Sequence, residues 1–293
     1  MSHAHRHEDS AKNISIAFAL NLGFTLFEIF GAIWTNSLAI LSDAVHDLGD
    51  SLSLGLAWYL ENLSKREQDV RFSYGYRRFS LLGAFLNTTI LIGGSLLVLV
   101  RAVPRLLRPE TTNAQGMVIF SIIGILVNGA AVLRLKGDRS LNSRTVAWHL
   151  LEDVLGWVAL LAVSVTLLFT DWYILDPILS IILTTYILYN TVRNLRQTAA
   201  VFLQAVPEDI ELNKIDKALS GIDQVLSTHH THVWSLDGEH HVLTTHVVVN
   251  EDTPIDDLVC IRQDVRDTIQ AWGFSHSTVE FEFGEEDCGM QVG

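Results

Sequence analysis

The feature that most constrains this chain is a series of six apolar runs, each about the length of a membrane-spanning helix. They cover residues 14–34, 38–60, 81–103, 117–135, 146–169 and 178–195. A helix needs about 20 apolar residues to cross the hydrocarbon core of a bilayer. Six runs of that length are not expected from the buried helices of a soluble protein. The sequence therefore predicts a helical membrane domain of six transmembrane helices over residues 14–203.

Composition supports this interpretation once the charges are located. Hydrophobic residues make up 49% of the chain, and the formal net charge is -13. Eighteen aspartates and glutamates follow residue 206, against four lysines and arginines, so the preceding part is close to neutral. An acidic, polar C-terminal region argues against a nucleic-acid partner and suits cations.

The distribution of basic residues predicts the orientation in the membrane. The loops after the second and fourth runs are rich in them: Lys65, Arg66, Arg71, Arg77 and Arg78 in the first, and Arg134, Lys136, Arg139 and Arg144 in the second. The opposite side has only Arg101, Arg105 and Arg108. By the positive-inside rule both termini are cytoplasmic. The N-terminus shows no pattern of a cleaved signal peptide.

After Pro207 the hydrophobic pattern changes from long runs to short amphipathic segments. Helices are predicted over residues 209–219 and from Thr253, and strands over 231–236, 242–249 and 278–283. The order αββαβ predicts a small α+β domain over residues 207–284, with tails at 1–13 and 285–293. The two cysteines, Cys260 and Cys288, form no CxxC pair and suit the reducing cytosol.

Two of the apolar runs contain charged residues at helical spacing. The second holds Asp43, His46, Asp47 and Asp50, at i, i+3, i+4 and i+7; the fifth holds His149, Glu152 and Asp153. Each run therefore carries an HxxxD motif on one helix face. Charged groups at membrane depth are costly and usually functional. Two imidazoles and two carboxylates from facing helices can surround Zn²⁺ tetrahedrally.

This ligand set also indicates the cargo and its coupling. Imidazole favours zinc and its neighbours over Mg²⁺ and Ca²⁺, which prefer oxygen ligands. The ligands lose protons when metal binds, so the site can exchange metal for protons. Asp43, Asp47 and Glu152 either orient the histidines or line a hydrated pathway. Glu28 is interpreted as an interhelical hydrogen-bonding residue. A single His–Asp pair could simply form a hydrogen bond between two helices. Two matching pairs on two helices suggest a shared role.

With these motifs, the chain resembles the cation diffusion facilitator family from about Phe24 to Phe283. The matching stretches are NSLAILSDAVHDLGDSLSLGLAW, SYGYRRFSLLGAFLN, LNSRTVAWHLLEDVLGW, LDPILS and HVWSLDG. The resemblance implies a six-helix membrane domain, a ferredoxin-like cytosolic domain, a homodimer and metal/proton antiport. It also implies a transport site on His46, Asp50, His149 and Asp153 that selects zinc and tolerates cadmium or cobalt.

The chain departs from the family pattern at several positions. Phe72 and Tyr76 stand where some relatives have metal-binding histidines, so no second metal site is predicted there. The loop after the fourth run lacks the histidines of animal relatives, which suggests a bacterial protein of the inner membrane. Asp47 and Glu152 stand where the family usually has apolar or small residues, which leaves the charge of the site open.

The C-terminal region offers a second group of ligands. The resemblance places regulatory metal between subunits at His229 or His230, His246, Glu280 and Glu282; His232, His241 and Cys260 are further candidates. The alternative is that these are exposed histidines on polar strand faces. At the N-terminus, His3, His5 and His7 either collect metal or form a plain tail.

We therefore expect an exporter of Zn²⁺ in exchange for protons, embedded in lipid, without enzymatic activity. A protease is not indicated, because Leu150 rather than glutamate follows His149 and no HExxH motif occurs. The alternative is a membrane metal sensor without net transport. The ligands at membrane depth argue against a sensor, which would not need them there.

Overall fold

The computed structural model describes residues 2–64, 66, 68–135 and 141–284. The chain divides into two compact units. The first comprises the chain up to Asn62 together with Leu82–Leu195, and the second comprises Leu63–Leu81 together with the chain from Arg196 onward. The predicted C-terminal tail, 285–293, lies outside the described residues, as do residues 136–140 in the fourth-to-fifth loop.

Within the described ranges, the first unit is built from six long helices. They are α1 (Ser2–Thr35), α2 (Leu38–Ser64), α3 (Phe79–Leu107), α4 (Ala114–Leu135), α5 (Leu141–Phe169) and α6 (Leu175–Phe202). Five of them, all except α2, contain a segment long and apolar enough to cross a membrane. In α2 three aspartates interrupt the apolar run, so a sixth span remains a prediction. The chain thus has a helical membrane domain.

The N-terminal helix differs from the sequence prediction. A tail was expected over residues 1–13, but α1 already begins at Ser2. The segment contains no proline or glycine, and its alanine, arginine, glutamate and lysine are good helix formers. The side chains of His3, His5 and His7 lie outside the described residues.

The core of the first unit joins α1, α2, α4 and α5. Its buried side chains are Ala32, Ala39, Ile40, Met117, Phe120, Trp157, Leu160 and Leu167. Glycines let the helices approach closely, as small residues do in membrane helix packing. A Cβ atom at Gly124 would lie 2.2 Å from the ring of Trp157, which is only 1% exposed. This contact fixes α4 against α5.

The second unit contains a small α+β domain in the predicted order αββαβ. Its elements are α7 (Leu212–Ser220), β1 (Val225–Ser235), β2 (His241–Val249), α8 (Ile255–Ala271) and β3 (His276–Phe283). The sheet order is β1-β2-β3, with β1 antiparallel and β3 parallel to β2. Apolar residues of both helices, such as Ile215 and Val265, share a core with Leu243 and Val247 of the sheet.

The elements of this domain begin one to six residues from their predicted starts, and the structure shows the cause of two of these differences. Strand β1 begins at Val225 rather than Thr231, because a register shift between His229 and His232 hides the alternation of its first half. At this irregularity His230 adopts a left-handed φ of 48°. Helix α8 begins at Ile255, two residues after the predicted start at Thr253, with Pro254 at the cap position.

The packing of α4 against α5 gives a testable prediction. Gly124→Ala should lower the stability of the protein by about 1–3 kcal/mol, because the new methyl group overlaps a buried indole ring. Gly129→Ala is the matched control on the same helix, since, beyond the backbone of α4 itself, its Cβ would meet no atom of the described residues within 4 Å. The measurement is the thermal unfolding midpoint of both variants in detergent. Equal midpoints would contradict the tight packing at Gly124.

Candidate metal centres

The first candidate centre lies where α2 meets α5. His46 Nε2 is 3.9 Å from Asp50 Oδ2, one turn further along α2, and 3.9 Å from Asp153 Oδ1 on α5. The three side chains are largely buried, with exposed fractions of 21%, 30% and 12%. Helix α5 also carries His149 one turn before Asp153, but the side chain of His149 lies outside the described residues. Two helices thus bring imidazole and carboxylates to one place.

A group of carboxyl groups accompanies this centre. Asp47, which is 8% exposed, and Asp43 interact electrostatically with Glu28 of α1, which is completely buried. Asp153 is also within electrostatic range of Glu28. Sequence reasoning assigned Glu28 to a hydrogen bond between helices and missed this group. The signal was available, because an acidic residue within an apolar span is itself unusual. Such a concentration of carboxyl groups attracts cations.

Glu152 does not join this group. Its carboxylate is exposed and accepts a hydrogen bond of 3.2 Å from the hydroxyl of Tyr186 on α6. Successive residues of a helix point about 100° apart, so Glu152 and its neighbour Asp153 face different surroundings. A role in orienting His46 is therefore not supported by this arrangement.

Polar contacts hold α2 in place near His46. From α1, the Asn21 amide donates to Ser51 Oγ at 3.1 Å and to the carbonyl of Asp47 at 3.4 Å. From α3, the Asn87 amide donates to Ser53 Oγ at 2.5 Å. Interhelical hydrogen bonds of this kind fix the rotation of a helix about its axis. The face of α2 that carries His46 is consequently directed toward α5.

The second candidate centre lies on the sheet of the C-terminal domain. His246 Nδ1 is 2.6 Å from Glu282 Oε1, and His229 Nε2 is 3.0 Å from Glu282 Oε2. One possible ligand atom from each of these three residues lies within 4.8 Å of the others. Both His246 and Glu282 are more than nine-tenths buried. Two imidazoles and a carboxylate in this arrangement can bind a divalent transition metal.

The strand register explains this cluster. His229 pairs with His246 across β1 and β2, and His246 pairs with Glu280 across β2 and β3. The Glu280 carboxylate is 3.6 Å from His246 Nε2 but is 61% exposed. The ring of His230 lies 5.3 Å from the rings of both His229 and His246. His230 and Glu280 therefore flank the cluster rather than complete it.

The remaining predicted ligands lie elsewhere. The ring of His232 is 6.2 Å from that of His230, and no contact with His246 is seen within the described part of the chain. His241 instead interacts with Asp209, at 3.8 Å between Nε2 and Oδ2. Cys260 is exposed on α8, away from the strands that carry the cluster. These three residues are not brought together with His246.

The connector between α2 and α3, where some relatives have histidines, is organised by Asp69. Its Oδ1 accepts hydrogen bonds from the backbone N–H groups of Arg71 and Phe72, and its Oδ2 accepts one of 2.6 Å from the Tyr76 hydroxyl. The Tyr76 bond and the two backbone bonds lower the pKa of Asp69, and the same contact raises the pKa of Tyr76. The rings of Phe72 and Tyr76 pack 4.6 Å apart. Aromatic packing and hydrogen bonds therefore order this turn.

A histidine–carboxylate pair also lies at the opposite end of β2 from His246. His240 Nδ1 is 2.7 Å from Asp237 Oδ2, and Arg77 of the connector is 3.9 Å from the same carboxylate oxygen. Partial burial alone would raise the pKa of Asp237. Its carboxylate also accepts hydrogen bonds from the backbone N–H groups of His240 and Glu239 and from the His240 ring. These bonds outweigh the effect of burial, so the pKa of Asp237 is lowered. Asp237 thereby holds the connector on the domain.

Comparison with known proteins places these features in a family. Residues 14–203 match the family model of the cation efflux transmembrane domain, and residues 207–282 match that of the cation efflux protein cytoplasmic domain. A zinc transporter ZitB of Yersinia pseudotuberculosis is 34% identical over 290 residues, which cover 97% of this chain and 92% of that protein.

Two further relatives cover similar lengths. A cadmium, cobalt and zinc/H(+)-K(+) antiporter of Bacillus subtilis is 30% identical over 286 residues, which cover 96% of this chain and 92% of the relative. The metal cation efflux system protein CzcD of Cupriavidus metallidurans is 29% identical over 284 residues, covering 96% and 89%. The chain is an integral membrane protein that belongs to the cation diffusion facilitator family of cation efflux proteins.

Proposed function

We propose that this protein exports divalent transition-metal ions, zinc first, from the cytoplasm in exchange for protons. The observation that carries the proposal is the meeting of His46 with Asp50 and Asp153 at the contact of two helices. The names of the relatives support the cargo, since one is a zinc transporter and another a cadmium, cobalt and zinc antiporter. A bacterial inner membrane is the location that these relatives suggest.

The transport site consists of His46, Asp50, His149 and Asp153. Zinc bonds to nitrogen and oxygen are about 2.0–2.2 Å long, so the ligand atoms of a tetrahedral site lie roughly 3.3–3.6 Å apart. The separations of 3.9 Å from His46 to the two aspartates exceed this by only a few tenths of an ångström. A small approach of α5 to α2, with small rotations of the His46 and Asp50 side chains, would therefore close the site around the ion.

Exchange with protons follows from the chemistry of the ligands. Imidazole and carboxylate must be deprotonated to bind Zn²⁺, and protonation of the same atoms releases it. In the proposed cycle the ion enters from the cytoplasm, the helices change their tilt, and protons entering from outside displace the ion. An inward proton gradient then drives export. Asp43, Asp47 and Glu28 place further carboxyl groups beside the proposed path of the ion.

The C-terminal domain acts as the regulatory part of this proposal. We place a regulatory metal on His229, His246 and Glu282, whose ligand atoms already lie together. Metal there would stabilise one arrangement of a homodimer and shift the population toward the transport-competent state. A sensor without net transport would need this cluster alone and would leave the group at α2 and α5 without a role.

The transport site is tested by comparing two neighbouring carboxylates of α5. Asp153→Ala should abolish proton-driven uptake of radioactive Zn²⁺ into proteoliposomes with an acidic interior, because one ligand of the ion is lost. Glu152→Gln should retain most of the wild-type rate, since Glu152 faces Tyr186 rather than His46. Equal uptake by Asp153→Ala and wild type would remove the proposed site. Absence of uptake by the wild type under any gradient would favour the sensor.

The regulatory site is tested by zinc binding at equilibrium. His246→Ala should remove one bound zinc per chain or lower the affinity of the site for zinc. The loss of affinity should exceed the roughly 10–100-fold that follows when only an outer hydrogen-bond partner of a metal ligand is removed. His240→Ala is the control, because His240 pairs with Asp237 outside the cluster. Equilibrium dialysis at neutral pH gives the stoichiometry of each variant. Unchanged stoichiometry and affinity in His246→Ala would contradict a metal site on this sheet.

A further inference from the structure

The start of α2 is bound by a carboxylate of another helix. Asp176, in the first turn of α6, is completely buried. It accepts hydrogen bonds from Ser37 Oγ at 2.5 Å and from the backbone N–H groups of Leu38 and Ala39 at 2.8 and 3.3 Å. The first N–H groups of a helix have no partner within it, and a negative charge there is favourable. A residue of α6 thus caps α2.

The contact continues along both helices as a ladder of hydroxyl groups. Ser180 Oγ donates to the carbonyl of Leu38 at 3.0 Å, and the hydroxyl oxygens of Ser42 and Thr184 are 2.7 Å apart. The α6 members, Asp176, Ser180 and Thr184, recur every fourth residue and form one stripe. All three are at most 1% exposed. This stripe joins the first two turns of α2 to α6.

A second attachment at the same end of α2 is more accessible to water. Arg105 of α3 donates to the carbonyl and the side-chain oxygen of Asn36, at 2.9 and 2.7 Å, and pairs with Glu110. Glu110 is 55% exposed, so water can replace these contacts at little cost. Water cannot reach the buried backbone N–H groups that donate to Asp176. If Asp176 moved away, these N–H groups would be left without hydrogen-bond partners. Of the two attachments, the one to α6 is the persistent one.

We propose that Asp176 is a positioning residue for transport, which fixes the start of α2 on α6 so that α2 tilts about this point. His46 follows Leu38 by eight residues, about 12 Å along the helix, so a small tilt about the fixed end displaces the ligands. Access to the site can then change without sliding of α2 along α6. The inference rests on the proposed transport function, because only a moving ligand helix needs a fixed end.

The contact of the first two turns of α2 with the stripe of α6 is called the joint below. A disulfide across the ladder of hydroxyl groups tests whether this joint stays closed during transport. Ser42→Cys with Thr184→Cys, in a background of Cys260→Ser and Cys288→Ser, places two thiols where the hydroxyl oxygens are 2.7 Å apart, within reach of a disulfide. Because the joint does not open, the oxidised protein should transport Zn²⁺ at nearly the rate of the reduced protein. The two single-cysteine variants, treated with the same oxidant, are the controls.

Two outcomes of this experiment overturn the inference. Transport that is lost on oxidation and restored by a reductant would show that α2 moves against α6. Failure of the pair to cross-link, measured by thiol titration, would show that the joint is open or absent. If the wild type itself moves no Zn²⁺, the proposed transport function fails, while the cross-link yield still reports on the joint.

Replacement of Asp176 separates positioning from metal binding. Asp176→Asn turns an amide N–H toward backbone donors and should lower the maximal rate of Zn²⁺ transport about tenfold or more, since misplacement by an ångström can cost about 100-fold in rate. Equilibrium binding of Zn²⁺ should stay near the wild-type value, because no ligand is removed. Asp171→Asn, in the exposed loop before α6, is the control. Unchanged transport, or equal losses of binding and rate, would overturn the positioning role.

Discussion

The central constraint on this molecule is the cost of holding charged residues inside an apolar membrane domain. Helix α2 carries four of them, and its neighbours meet it with polar groups rather than with apolar packing alone. Asn21 of α1, Asn87 of α3, Asp153 of α5 and Asp176 of α6 all face it. Because these groups exclude most other arrangements in lipid, α2 becomes the helix around which the others are placed.

Much of the membrane domain could be predicted because its signals are local. Run length located all six helices, although α1 begins twelve residues before its apolar run and α6 ends seven residues after its own. The repeated HxxxD spacing indicated that α2 and α5 meet. What could not be predicted depends on how the helices are rotated against one another. Glu152 and Asp153 are neighbouring acidic residues of the same helix but face different surroundings. The carboxyl group of Glu28 acquires its acidic neighbours only when α1 packs near α2 and α5.

In the C-terminal domain the order of elements followed from periodicity, but the grouping of His229, His246 and Glu282 could be predicted only in part. The choice between His229 and His230 depends on the irregularity in β1, where one residue with positive φ changes which side chain faces β2. No simple alternation of residues encodes such a bulge. Cys260 was a chemically sensible candidate, but the face of α8 on which it lies is decided by packing of the helix on the sheet.

The parallel pairing of β2 with β3 also bears on how the C-terminal domain folds. His246 and Glu282 are 36 residues apart in the chain, and they meet only after α8 has crossed the sheet and β3 has taken its place. Contacts of such separation slow folding, because the entropy of closing the intervening loop is lost before they are made. A metal ion at this pair would stabilise only the finished domain, so its binding during synthesis would mark the completion of folding.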